Sequence, residues 1–165
     1  MSKVAVIMGS KNDFDVIRPA CEMLKKFGAE TEVRVISAHR TPEDAADFAL
    51  NAEKNGFEVI IAAAGKAAHL AGVLASLTPL PVIGIPIKSS TMDGLDSLLS
   101  TVQMPSGIPV ACVAINGAEN AALLAVQILS LKYPGMREKI KEYKKTLAEK
   151  IRSDDKKLND ELSGQ

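Results

Sequence analysis

Five short apolar runs punctuate the chain, at Val4 to Met8, Val33 to Ile36, Val59 to Ala64, Val82 to Ile87 and Val110 to Ile115. Runs of this length, rich in Val, Ile and Ala, read as strands buried on both faces. Between them the apolar residues recur at helical spacing, as in Pro42 to Lys54 and Ala118 to Lys132. The resulting order, βαβαβαβαβ, predicts a doubly wound parallel sheet of the α/β class. Thr41 is placed to cap a helix whose first residue is Pro42, with Glu43 and Asp44 against the positive end of its dipole and Gly56 closing it. Pro19 falls within the first helical segment, so that helix either begins late, near Val16, or is kinked.

Beyond Pro134 and Gly135 the chain turns strongly charged, yet Ile140, Tyr143, Leu147 and Ile151 keep a narrow apolar stripe at helical spacing. That stripe needs a surface to lie on, either its own domain or a neighbouring subunit. The final stretch from Ser153 reads as a solvated tail. The chain of 165 residues therefore divides into a catalytic domain over 1–135 and a helix with a polar tail over 136–165 that is expected to make an oligomer contact.

Composition sharpens this picture in two respects. With 47% apolar residues, 4% aromatics and no Trp, the core must be aliphatic, which suits helices packed on a parallel sheet. Twenty basic and twenty acidic side chains cancel, so the basic footprint of a nucleic-acid binder is missing, and weak charge repulsion favours self-association. The N-terminal apolar run is interrupted by Gly9 and Ser10, too short for a secretion signal or a membrane span, so a cytoplasmic protein is expected. Cys21 and Cys112, one in a helical pattern and one in an apolar run, read as buried and inert.

In an open parallel sheet, ligands bind outside the carboxyl ends of the strands. The segments there are polar: Gly9-Ser10-Lys11-Asn12-Asp13, Ser37-Ala38-His39-Arg40-Thr41 and Gly65-Lys66-Ala67-Ala68-His69. Both histidines of the chain lie in them. Gly9 lets backbone approach a ligand, and Ser10 with free amides at a helix start can hold a phosphate. Arg40 can add a bidentate phosphate contact, and Asp13 can accept bonds from sugar hydroxyls. His39 sits in a loop where acid–base work is possible, whereas His69 precedes Leu70 in a helical segment opened by Gly65, where it either packs, caps or reaches a ligand. There is no Walker loop, dinucleotide fingerprint, Cys-x-x-Cys pair, zinc-spaced His/Glu cluster or nucleophile elbow. A receiver or flavin module shares the architecture, but Ala64-Gly65 stands where a receiver needs its acidic phosphoacceptor.

The segments Met8-Gly9-Ser10-Lys11-Asn12-Asp13, Ser37-Ala38-His39-Arg40-Thr41-Pro42, Ala67-Ala68-His69-Leu70, Asp96-Ser97-Leu98-Leu99-Ser100, Val102-Gln103-Met104-Pro105 and Asn120 to Ala125 together resemble the aminoimidazole ribonucleotide carboxylase and mutase family of purine synthesis. The resemblance runs in order from Val4 to about Leu131. It implies a three-layer flavodoxin-like domain, a homo-octamer with sites formed between subunits, and a nucleotide substrate. The implied reaction moves a carbamate from the exocyclic nitrogen of an imidazole ribonucleotide to ring carbon four, without metal, ATP or biotin. It also implies His39 as the catalytic residue, Ser10, Asp13 and Arg40 as nucleotide-binding residues, and Gly9, Ser37, Ala38, Gly65, Lys66, His69 and Leu70 as further lining of the site. Where the mutase pattern has two glycines before Ala-Ala-His-Leu and a proline after it, this chain has Gly65-Lys66 and Ala71. Lys66 thus falls beside the expected carboxyl pocket, and free carbon dioxide stays open as an alternative carboxyl source. A carboxylating branch of the family carries Lys at the position of Arg40 and lacks Ala-Ala-His-Leu, so mutase chemistry is the leading expectation.

Overall fold

A computed structural model describes residues 2–164. Its sheet has five strands: β1 (Lys3–Met8), β2 (Glu30–Val35), β3 (Val59–Gly65), β4 (Val82–Ile87) and β5 (Ala111–Cys112), all parallel and ordered β2-β1-β3-β4-β5. The helices are α1 (Phe14–Phe27), α2 (Pro42–Asn51), α3 (Leu70–Ala75), α4 (Leu95–Val102), α5 (Ala118–Leu129) and α6 (Pro134–Ser163). The doubly wound expectation holds, and the reason is visible in the strand interiors. Val4, Val6, Met8, Val59, Ile61, Ile83 and Ile85 face one side and pack with α1, α5 and the start of α6. Ala5, Ile7, Ile60, Ala62 and Val82 face the other and pack with Phe48, Leu70 and Leu74 of α2 and α3. Successive residues serve opposite layers, so a continuous apolar run is what a two-sided sheet requires.

The outer strands depart from expectation. β2 begins three residues earlier than its apolar run and lies at the sheet edge, with Val33 and Val35 exposed and only Ile36, just past its end, buried. The run from Val110 to Ile115 pairs only at Ala111 and Cys112, and both cysteines are half-buried rather than buried. Burial still pushes both thiols up, which keeps them protonated and unreactive.

Helix α1 runs unbroken through Pro19 from Phe14, preceded by a single 3₁₀ turn over Lys11–Asp13. It ends at Gly28, whose φ of 86° is the left-handed conformation that closes helices. Thr41 precedes α2 but makes no capping bond with its side chain; its hydroxyl is used inside the preceding loop instead. The segment from Ser153 is helical, not a tail, although every residue from Lys144 to Gly164 is exposed. The start of α6 is tied to the domain: Met136 and Ile140 join the core, Tyr143 stacks edge-on against Phe27, and the Tyr133 hydroxyl donates to Glu58 at 2.9 Å. Lys139 also donates to the Phe27 carbonyl at 3.1 Å, satisfying the end of α1.

Candidate active site

The chain runs outward from β1 to β2 on one side and to β3 on the other, so the crevice at the carboxyl ends of β1 and β3 is the topological switch point. A cavity of about 640 Å³ opens there. The loop after β1 contributes Gly9, Ser10 and Asp13; the loop after β2 contributes Ser37, Ala38, His39 and Arg40; the β3 end and the start of α3 contribute Gly65, Lys66, His69 and Leu70. All eleven residues singled out from the sequence therefore line one cavity.

The loops hold each other in place. Ser10 accepts from the Asn12 amide at 3.2 Å and so caps the 3₁₀ turn that carries Asp13. Thr41 accepts from the Ser37 amide at 3.0 Å and donates back to the Ser37 carbonyl at 3.1 Å. The Ser37 hydroxyl in turn accepts from the Arg40 amide at 3.2 Å and its Nε at 3.4 Å, while Arg40 Nη2 donates to the Gly9 carbonyl at 3.0 Å. Arg40 thus joins the first two loops and still has guanidinium protons to offer an anion. A Cβ at Gly9 would meet only the Ala63 carbonyl, at 4.0 Å, so no protein atom demands glycine there.

His39 Nε2 and His69 Nδ1 lie 2.9 Å apart, with the rings edge to face and their centroids 5.0 Å apart. His69 stands at the N-cap of α3 without a capping bond, which frees its ring for this contact. One bridging nitrogen must donate and the other accept, so the bridge holds a single proton. His39 Nδ1 and His69 Nε2 remain as outer positions where a proton can be held or released without breaking it. Both rings are exposed to the cavity.

Electrostatically the lining favours an anion. Arg40, Lys66 and Lys88 face it against the single carboxyl of Asp13, and Lys88 is already paired with Asp93 at 2.7 Å. Burial pushes the Asp13 carboxyl above the usual range and outweighs the hydrogen bond at the Ser10 backbone. Lys66 has a φ of 56°, a left-handed conformation uncomfortable for any residue with a Cβ, and it has no ion-pair partner among the described residues. Among the described residues no three His, Cys, Asp or Glu side chains cluster as a metal site would need.

The sequence reading missed Lys88 and Ser89, which enter the cavity from the carboxyl end of β4. The rule that located the first three loops applies equally to this fourth strand, so the signal was there. Ser89 donates to both oxygens of Asp96, at 3.0 and 2.9 Å, which anchors the loop to α4. Asn12, Ala64, Ala67 and Ile87 complete the lining.

A family model described as AIR carboxylase matches residues 3–150. N5-carboxyaminoimidazole ribonucleotide mutase from Saccharolobus solfataricus is 60% identical over 93% of this chain and 97% of its own length. The protein of the same name from Pyrococcus horikoshii is 57% identical over 95% of this chain and 89% of its own. A chloroplastic phosphoribosylaminoimidazole carboxylase from Vigna aconitifolia is 51% identical over 92% of this chain, which corresponds to 27% of that longer protein. Among solved structures, PurE of Treponema denticola superposes with a TM-score of 0.86 at 32% identity, covering 96% of this chain and 99% of that one. With the sheet order, the switch-point cavity and these matches over nearly its whole length, the chain belongs to the AIR carboxylase family.

Proposed function

We propose that this chain is an N5-carboxyaminoimidazole ribonucleotide mutase of purine synthesis, with the bonded His39–His69 pair in the lining of the cavity as the observation that carries the assignment. The reaction needs one proton delivered and one removed. Protonation of the exocyclic nitrogen of the carbamate breaks its N–C bond and releases carbon dioxide, leaving an aminoimidazole whose carbon four is nucleophilic. That carbon attacks the trapped carbon dioxide, the new C–C bond forms, and the proton on carbon four departs to restore the aromatic ring. His39 is the catalytic residue that gives the first proton and takes the second, and His69 positions it through the 2.9 Å bond. Because the donated proton is recovered, no net proton is consumed.

The remaining lining suits the substrate. Ser10, Arg40 and the amides of the first loop hold the phosphate, Asp13 accepts from the ribose hydroxyls, and Gly9 lets the nucleotide approach the backbone. Ser37, Ala38, Gly65 and Leu70 surround the imidazole and its carboxyl group, and Lys66 lines the cavity beside them with its side chain in solvent. Holding both fragments together in the site is what prevents the loss of carbon dioxide.

The protein works as a cytoplasmic homo-octamer in this reading. Support for association comes from α4, where Leu95, Leu99 and Val102 are 46–47% exposed. A shallow groove of about 410 Å³ runs from His69 past Val73 to Leu99 and Met104, so a neighbour seated on that face would lie against the catalytic pair. No described helix is long and apolar enough to cross a membrane.

The test is isotopic. Product formed from unlabelled carbamate in labelled bicarbonate carries little label during the first turnovers, because the carbon dioxide stays bound. Full labelling, or equal turnover of the bare aminoimidazole nucleotide at moderate bicarbonate, would refute the mutase assignment and make the enzyme a carboxylase.

A further inference from the structure

We infer that Lys88 is the group that takes up the carboxyl end of the bound nucleotide, leaving Asp93 for it when the nucleotide enters. This rests on the reaction proposed above and adds a residue to it. The molecule in that reaction is anionic at both ends, with a phosphate on one and a carbamate or carboxylate on the other. Arg40, bonded to the Gly9 carbonyl at 3.0 Å, serves the end where Ser10 lies. Strand β4 stands two places from β1 in the sheet, so about 10 Å separates Lys88 from that end. One anionic group cannot reach both cations; a molecule with two can.

The carboxyl group lies beside Gly65 in the mutase reading, and the strand register brings Lys88 to the same place. Gly65 pairs with Ile87, and Lys88 is the next residue. A Cβ on Gly65 would lie 3.4 Å from the Ile87 carbonyl oxygen, so the two strand ends meet across bare backbone. The backbone of Lys88 is fixed on two sides. Its amide donates to Asn116 Oδ1 at 2.9 Å, and Gly94 comes so close that an added Cβ would stand 3.2 Å from the Lys88 Cα. Asn116, Asp93 and Gly94 have φ of 58°, 56° and 99°, three left-handed residues gathered round one lysine. Costly backbone of this kind concentrates at ligand sites.

The root of the side chain is held, but its ammonium is free to move. Lys88 lines the cavity and Asp93 does not, although the two are bonded at 2.7 Å. Their side chains are 56% and 80% exposed, and an ion pair so wet contributes little. A carboxylate bound in the cavity, beside a lysine whose backbone is already placed, therefore displaces Asp93 at small cost. Asp93 keeps the ammonium beside the empty site and yields it to the nucleotide.

Two nucleotides that differ only in the carboxyl group test this: 5-aminoimidazole ribonucleotide and its 4-carboxy derivative. Titration calorimetry is done on the full chain carrying His39→Asn, so that neither ligand is converted. Lys88→Gln should weaken the carboxylated nucleotide by about three- to tenfold, the range of a hydrogen bond to a charge discounted for exposure, and leave the bare one within about 1.5-fold. Asp93→Asn removes the competitor and should tighten the carboxylated nucleotide by about two- to fourfold. Equal weakening of both nucleotides by Lys88→Gln would mean that the lysine holds the phosphate or only shapes the loop, and no change in either would mean that it stays with Asp93; both results overturn the inference. Looser or unchanged binding in Asp93→Asn, as a purely structural tie predicts, overturns it too. If neither nucleotide binds even the unsubstituted protein, the mutase reading falls and the inference with it, whereas binding of both with an unmoved ratio in Lys88→Gln sinks the inference alone.

Discussion

Replacing Lys66 with glycine is expected to stabilise the free protein. Lys66 holds a φ of 56° immediately after the last residue of β3, in a region where a Cβ crowds the following carbonyl. That crowding costs about 1–2 kcal/mol for a non-glycine residue. Glycine removes it but adds roughly 0.5–1 kcal/mol of conformational freedom to the unfolded chain. The side chain is exposed and unpaired among the described residues, so little packing is lost with it. The balance is a gain of about 0.5–1 kcal/mol, which for a chain of this length raises Tm by roughly 1–4 °C. Differential scanning calorimetry on the ligand-free protein reads this directly. Lys66→Ala separates the causes, since alanine keeps the strain and discards the ammonium; its Tm should stay within about 1 °C of the parent. Turnover of the carbamate substrate should stay within about twofold in Lys66→Gly, because an exposed lysine ordinarily serves solvation. A Tm that falls by more than about 2 °C in the glycine variant would show that the ammonium or its stem holds the loop, and the strain argument would be refuted.

For His39→Asn, nucleotide binding should survive while turnover drops at least about a hundredfold, since general acid–base groups typically supply that much. Near-normal turnover would move the chemistry to another group. His69→Asn retains an amide where Nδ1 now bonds His39, so it should lose less activity than His69→Ala; equal losses in kcat would deny the positioning role. Arg40→Ala should weaken nucleotide binding by about 1.5–3 kcal/mol in titration calorimetry, the worth of hydrogen bonds to a charged group. An unchanged affinity would remove Arg40 from the site. Asp13 bears on pH: burial raises its folded-state carboxyl above the unfolded value, so the folded protein holds that proton more tightly, and stability falls as pH rises from the ordinary carboxylate range through the raised value. Asp13→Asn should therefore flatten Tm against pH in that window and raise Tm at neutral pH while weakening nucleotide binding, and a lower neutral Tm would contradict the sign.

The inner part of the fold was open to reading because β1, β3 and β4 are buried on both faces and their residues carry an unbroken apolar signal. The edges were harder for a physical reason. In β2 the pattern Glu30-Thr31-Glu32-Val33-Arg34-Val35 alternates, yet Val33 and Val35 stand exposed at the sheet edge, so only the apolar end of the strand carries a signal. Val110 to Ile115 is apolar without being paired along its length, so its composition reports more than sheet membership. In the site, loop residues follow from topology, since whatever succeeds a parallel strand faces the crevice. The His39–His69 bond does not follow, because it depends on where α3 starts relative to a loop thirty residues away. The helical continuation past Ser153 was masked by Asp154, Asp155, Lys156 and Lys157, although Leu158 and Leu162 keep the spacing.

The anchoring of α6 has a spectroscopic consequence. The chain has no tryptophan, and its two tyrosines, Tyr133 and Tyr143, both sit at the junction where α6 meets the body, one bonded to Glu58 and the other stacked on Phe27. Tyrosine emission and the near-ultraviolet dichroism of tyrosine therefore report on that junction alone. A detached α6 would change both signals while the sheet stays folded, and a nucleotide entering the cavity, which no tyrosine lines, would leave them untouched. Loss of the tyrosine signal on heating marks release of the helix, and it coincides with loss of the far-ultraviolet signal only if helix and domain melt as one cooperative unit.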